Sequence, residues 1–272
     1  MLAALENYCS TWAAAEPRFW FVPPAEHINE LAFSAAVAGF AGIGVAWQRS
    51  DDGGPLALGG SPTRQEHALG LFLSALFPIN FANKHLLQGM PLSRTLVELS
   101  LLPCHVYTGL SAFSLLGTTR ASRVTVYSLL LHCAWMPLLA LAFPDLSAAR
   151  AIATPALRVG SIATFWAHHL TLLAAPVLAH QQASLRLRFA PPPPRAAGLL
   201  QYLAFIYAFV GVLLCGLALA TGRNLNYSLW PPPALPDGAY PYLGGARYRL
   251  VIGTLLALVL GPLMRHVLVP PA

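Results

Sequence analysis

An all-α, polytopic bundle of about seven transmembrane helices is the fold class that three observations predict. The 272-residue chain is 56% hydrophobic and only 10% charged. Its mean hydropathy is +0.59, too apolar for an ordinary soluble domain of this size. The apolar residues also come in long blocks, several of them long enough to cross the hydrocarbon core of a bilayer.

Taken in order, residues 1–30 lack the basic start and apolar core of a signal peptide. Trp12, Phe19, Trp20 and Phe21 make this segment an expected interfacial anchor. Residues 31–269 then read as a single transmembrane domain. Its spans are expected at Leu31–Trp47, His67–Ala82, Leu92–Leu116, Val124–Phe143, Val159–Ala179, Leu199–Ala220 and Leu250–Val267. The first two are short, so a six-span version also fits. Gly, Pro and Asp mark a flexible loop between the first two spans, and Pro191–Pro194 a stiff connector between the fifth and sixth. The segment RNLNYSLWPPPALPDGAYPYLGGARYR, which precedes the last span, is expected to lie as a cap on the membrane surface. Basic residues divide eight against eight between the two sides, which leaves the orientation open.

The net charge of +6 comes from scattered arginines and a single lysine, Lys84. No basic run or aromatic nucleic-acid motif accompanies it, so it points to lipid headgroups and away from nucleic acid. Four cysteines lie far apart, without CxxC or Cys/His zinc spacing, which indicates neither a disulfide framework nor a metal site. Cys133 and Cys215 read as small packing residues.

The third span carries the most chemistry. Pro103, Cys104 and His105 sit in its middle, and Glu98 lies a turn and a half earlier. Proline loosens the helix there, and an imidazole in hydrocarbon needs a partner or a cavity. Cys104 lies about 15 Å beyond Arg94 at helical rise, and His168 and His169 lie about as far beyond Arg158, which starts from the same side. A thiol and two histidines thus fall near one plane, with His132 deeper. Adjacent residues of a helix point about 100° apart, so His105 is poorly placed to serve Cys104. A base should come from another span, and depth favours His169 or His168. The chemistry would be nucleophilic, an imidazole taking the thiol proton. Glu98 is expected to pair with Arg94, four residues earlier, ahead of orienting His105. Lys84, Arg94, Arg158 and Arg249 could ring the mouth above this plane and hold a phospholipid headgroup, or simply snorkel.

The stretch LLPCHV, the histidine-bearing LLLHCAWMPLLALAFPDL, the run AHHLTLLAAPV and the later RNLN with Pro231 and Tyr248–Arg249 together resemble the transmembrane protein 164 family. The resemblance covers roughly Asn80 to the C-terminus. It implies a cysteine-dependent transfer of a polyunsaturated acyl chain between phospholipids, towards ether-linked lysophosphatidylethanolamine. Cys104 matches the family nucleophile and His169 its partner histidine. His132, Lys84, Asn224 and Asn226 match other recurring positions. The chain departs from the family at Leu102, where an asparagine is usual, and at Trp230, where a cysteine is.

The expected protein is therefore an integral, multi-pass membrane acyltransferase of ether-phospholipid metabolism. A donor phospholipid and a lysophospholipid acceptor are its partners, and no cofactor or metal is implied. His105, His168 and Asn224 are candidates for stabilising the oxyanion, with Asn226 and His132 as further supporting residues. The resemblance also implies an endoplasmic reticulum or Golgi membrane. Two alternatives stand beside this reading: a lipid hydrolase with the same dyad, and a non-enzymatic lipid or solute transporter. The absence of an internal repeat weighs against the transporter.

Overall fold

The structure is a computed structural model that describes residues 24–51, 64–117, 120–181, 195–221, 251 and 253–268. Among these residues every regular element is helical, as the composition predicts. Helix α1 runs Pro24–Asp51 and α2 runs Arg64–Ala82, continued by a π-helical turn, Asn83–Leu87. After the reversal at Gly89, whose φ of 67° suits a residue without Cβ, come α3 (Leu92–Leu101) and α4 (Pro103–Leu116). Then follow α5 (Arg120–Cys133), α6 (Trp135–Ala142), the single turn α7 (Ser147–Arg150) and α8 (Pro155–Gln181). Helix α9 (Arg195–Ile206) passes through a π-helical segment, Tyr207–Leu214, into α10 (Cys215–Thr221). The last described helix runs from a π-helical segment, Leu255–Leu260, into α11 (Gly261–Leu268).

Two compact units contain these elements. The first comprises residues 1–53 and 199–260. There α1 packs on the π-helical segment 207–214, with Phe33 edge-on to Tyr207 at 6.2 Å between ring centres. The Tyr202 hydroxyl donates to the Leu256 carbonyl. The second unit comprises residues 54–198 and 261–272 and has α4 at its centre, packed against α2, α5 and α8. Gly70 lets α2 and α4 approach closely: a Cβ there would lie 2.6 Å from Leu116 Cγ. Two local devices set up α7 and α8. Asp145 Oδ1 accepts from the Ser147 backbone N–H and hydroxyl, at 3.1 and 2.6 Å. Arg158 donates back to the carbonyls of Ile152 and Ala153.

Large apolar side chains such as Phe40, Ile43, Phe72 and Val159 stand exposed along the helices. That is the surface of a membrane protein, whose outer face meets lipid. Among the described residues, Val126–Arg150 and Gly198–Ala220 are long and apolar enough to cross a bilayer. The pair α3 and α4 would make a third span. This pair also corrects one expectation. Leu92–Leu116 is not one helix but two, bent by 58°. Leu102 turns extended, with ψ at 133°, because the residue before a proline is pushed out of the helical region. Pro103 then starts α4 at a position where its missing N–H costs nothing. The N-terminal segment expected to be interfacial lies outside the described residues up to residue 23, and its last seven residues open α1.

Candidate active site

The break at Leu102 puts Cys104 in the first turn of a new helix rather than in the middle of an old one. First-turn amides have no partner within their own helix. Here the amides of His105 and Val106 both turn to the Leu102 carbonyl, at 2.9 and 3.0 Å. The Cys104 side chain leaves α4 within this turn. It is half-buried, whereas Cys133 and Cys215 are buried, as expected of packing residues.

Helix α8 supplies two buried histidines, of which His168 reaches this turn through Thr108. His168 Nε2 lies 2.7 Å from Thr108 Oγ1, and that hydroxyl donates to the Cys104 carbonyl at 2.7 Å. On its other side His168 Nδ1 faces Asn80 Nδ2 of α2 at 3.5 Å, while Asn80 Nδ2 also donates to the Leu76 carbonyl at 2.8 Å. His169 is held differently. Its Nδ1 donates to the Phe165 carbonyl at 2.8 Å, and its ring lies 4.3 Å from that of Phe165. A carbonyl can only accept, so the proton of neutral His169 sits on Nδ1 and the lone pair on Nε2. No hydrogen bond among the described residues engages that Nε2. The sulfur of Cys104 is not hydrogen-bonded to either histidine.

His105 stacks on His168, ring centres 5.2 Å apart, and completes a cluster with His169, 5.0 Å from His168. The two α8 histidines expected near the thiol thus form one cluster with His105, the histidine set aside as poorly placed to serve Cys104. His132 lies elsewhere in the same unit. Its Nδ1 donates to the Ser128 carbonyl, beside Gly198 and within electrostatic reach of Arg265. Two turns beyond Cys104 on α4 a small cavity opens against Tyr127, Leu130 and Pro176, and among the described residues the Ser111 hydroxyl at its wall has no hydrogen-bond partner.

On α3, Glu98 joins two cations. Its Oε2 accepts from Lys84 Nζ and its Oε1 from Arg94 Nε, each at 2.8 Å. The expected Arg94 pairing is there, but the Lys84 contact, between groups 18% and 14% exposed, is the more sheltered of the two. Neither a hydrogen bond nor an ion pair joins Glu98 to His105. Lys84 sits in the π-helical turn after α2, and its charge is felt at Cys104, His105, His168 and His169. Arg158 has donors committed to carbonyls before α8. Arg249, Asn224 and Asn226 lie outside the described residues. No group of three His, Cys, Asp or Glu among the described residues is arranged to hold a metal ion.

Sequence reasoning passed over Thr108 and Asn80. A threonine bonding its own helix is unremarked in an apolar segment, but an asparagine at membrane depth was a usable signal. A family model described as the TMEM164 family matches residues 24–264, reaching further towards the N-terminus than the resemblance from Asn80 onward. No curated protein and no solved structure matches the chain.

Proposed function

Because the chain belongs to the TMEM164 family, we propose that it is an integral membrane acyltransferase working through a thioester on Cys104. One observation carries the proposal: a half-buried thiol stands in the first turn of a broken helix that packs on the helix of buried His169, whose Nε2 makes no hydrogen bond among the described residues. His169 Nε2 takes the thiol proton, and the sulfur attacks the ester carbonyl of a donor phospholipid. The tetrahedral intermediate collapses with cleavage of the C–O bond, and His169 returns the proton to the departing lysophospholipid oxygen. In the second half the hydroxyl of a lysophospholipid acceptor loses its proton to His169 and attacks the thioester. The C–S bond breaks, and the proton returns to Cys104. No hydrogen bond joins the Cys104 sulfur to His169, and the proton transfer requires the two to be brought within hydrogen-bond reach.

The family resemblance implies a polyunsaturated acyl chain, an ether-linked lysophosphatidylethanolamine acceptor and an endoplasmic reticulum or Golgi membrane, and the apolar blocks of the sequence support about seven spans. Lys84 and Arg94, bridged by Glu98, would meet the donor phosphate above the thiol. The test is transfer in reconstituted vesicles from a donor labelled in its acyl chain to added lysophospholipid. Labelled product phospholipid that depends on Cys104 supports the transferase. Free fatty acid alone, with abundant acceptor, would mean that water replaces the acceptor and the protein is a hydrolase. Neither product would sink the enzymatic reading. Lys84→Gln should raise the KM for donor about tenfold with little change in kcat, as expected when a charged contact to substrate is lost.

A further inference from the structure

We propose that Asn80 and Thr108 are positioning residues that lock His168 as its Nε2–H tautomer, opposite to its neighbour His169, and thereby fix the first turn that carries Cys104. The assignment follows from counting donors. Asn80 Nδ2 must be a donor, because it also bonds the Leu76 carbonyl at 2.8 Å. The ring nitrogen facing it, His168 Nδ1, therefore offers a lone pair. A neutral imidazole then carries its proton on Nε2 and gives it to Thr108 Oγ1 at 2.7 Å. That acceptance fits, since the Thr108 hydroxyl hydrogen is already given to the Cys104 carbonyl at 2.7 Å. Every donor in the chain Leu76–Asn80–His168–Thr108–Cys104 finds one acceptor, and no nitrogen of His168 is left to act as a base.

The chain joins three helices, α2, α8 and α4, at the turn where Pro103 has removed a backbone donor. Thr108 and His168 are each 1% exposed, so no water stands ready to replace a lost partner. Without the threonine hydroxyl, the His168 N–H is buried without an acceptor and must turn away. The Cys104 turn loses its tie to α8, and the reacting sulfur shifts. The two adjacent histidines thus divide their work: His168 holds the turn, and His169 moves the proton. This division rests on the acyl-transfer reading only for the second role.

The experiment uses the full chain in lipid nanodiscs, labelled with 15N-histidine and read by solid-state NMR. His168→Gln and His169→Gln spectra identify the two residues. His168 should show a protonated Nε2 and a bare Nδ1, and His169 the reverse. His168 protonated on Nδ1, or on both nitrogens at neutral pH, overturns the network whether or not the chain transfers acyl groups. The positioning role is read on Thr108→Val and Thr108→Ser by the rate at which a membrane-permeant iodoacetamide labels Cys104. Misplacing a reacting group changes rates steeply, so Thr108→Val should shift labelling at least about threefold, with Thr108→Ser within about twofold of the native chain. The valine variant should also lose the His168 tautomer pattern. Unchanged labelling in a folded Thr108→Val chain overturns the positioning role. Failure of labelled-lipid transfer in the native chain, with both NMR and labelling as expected, counts against the acyltransferase and leaves the network standing.

Discussion

The two compact units use buried polarity very differently. Of the fifteen buried polar or charged residues among the described ones, His27 and Ser34 fall in the unit of residues 1–53 and 199–260. The other thirteen, from Glu66 to His169, fall in the unit that holds Cys104. The first unit packs by close approach: Gly211 meets Ser34, Gly44 meets Leu200, and Phe33 sets its edge to Tyr207. The second ties helices together with hydrogen bonds such as Thr108 to His168 and Gln88 to Ser161. Helices in lipid gain no hydrophobic drive from meeting one another, so close contact of small residues suffices where only packing is needed. Burying imidazoles and amides requires a partner for each. Their concentration in the unit that holds Cys104 marks the unit in which chemistry is proposed.

The largest test of that contrast is Cys104→Ala. Acyl transfer should fall to background, a loss of at least about a thousandfold if the sulfur forms the covalent intermediate. Abundance and thermal unfolding temperature should hardly change, because the side chain is half-buried, forms no disulfide and, among the described residues, makes no hydrogen bond to another helix. Retained transfer would reduce Cys104 to a packing residue and remove the chemical meaning of the polar unit. Next comes His169→Ala, expected to lower kcat by roughly a hundredfold or more as a lost general base does. Both halves of the reaction use His169, so a slowed thioester formation and a slowed thioester decay should be resolved separately in single-turnover measurements. Loss confined to one half would assign the other half to a different base.

How much of this was legible in the sequence depends on whether the signal was local. The apolar blocks and Pro103 were, and they give helices and a weak point, although the size of the bend follows from the extended Leu102 that the proline forces. Depth counting from Arg94 and Arg158 brought Cys104 and the α8 histidines to one level, because rise per residue is fixed. It could not choose between His168 and His169. That choice rests on Asn80, 88 residues from His168 and on another helix, where no periodicity reaches. The same limit hid the Lys84–Glu98 pair, 14 residues apart across a π-helical turn and the bend at Gly89. The i, i+4 pairing with Arg94 was readable from spacing alone.

A smaller effect should separate close packing from chemistry in the other unit. A Cβ at Gly211 would lie 2.5 Å from Ser34 Oγ and 2.6 Å from Ser34 Cβ. Gly211→Ala should therefore force α1 away and cost about 1–3 kcal/mol, as overpacking does. The measurement is thermal unfolding in nanodiscs beside labelled-lipid transfer at a temperature where the variant is folded. A lowered midpoint with native transfer would keep this unit structural. Native stability would mean that the helices can slide apart without penalty, and close approach would no longer explain how the unit holds together.

The smallest expected change sharpens the same point from the opposite side. Gly39 lies on α1 as Ser34 does, but no atom of another element comes within 4 Å of where its Cβ would be. It is exposed along the outer face of the helix, so an added methyl meets lipid and displaces nothing. Alanine there removes the conformational penalty of glycine in a helix interior, worth at most about 1 kcal/mol. Gly39→Ala should therefore leave the unfolding midpoint unchanged or raise it slightly, with transfer untouched. Because Gly211→Ala and Gly39→Ala add the same methyl group, the difference between their midpoints isolates the cost of the Ser34 contact from helix propensity. A fall at Gly39 as large as that at Gly211 would show that α1 is packed on its outer face as well, and that close approach in this unit is not confined to the Ser34 side.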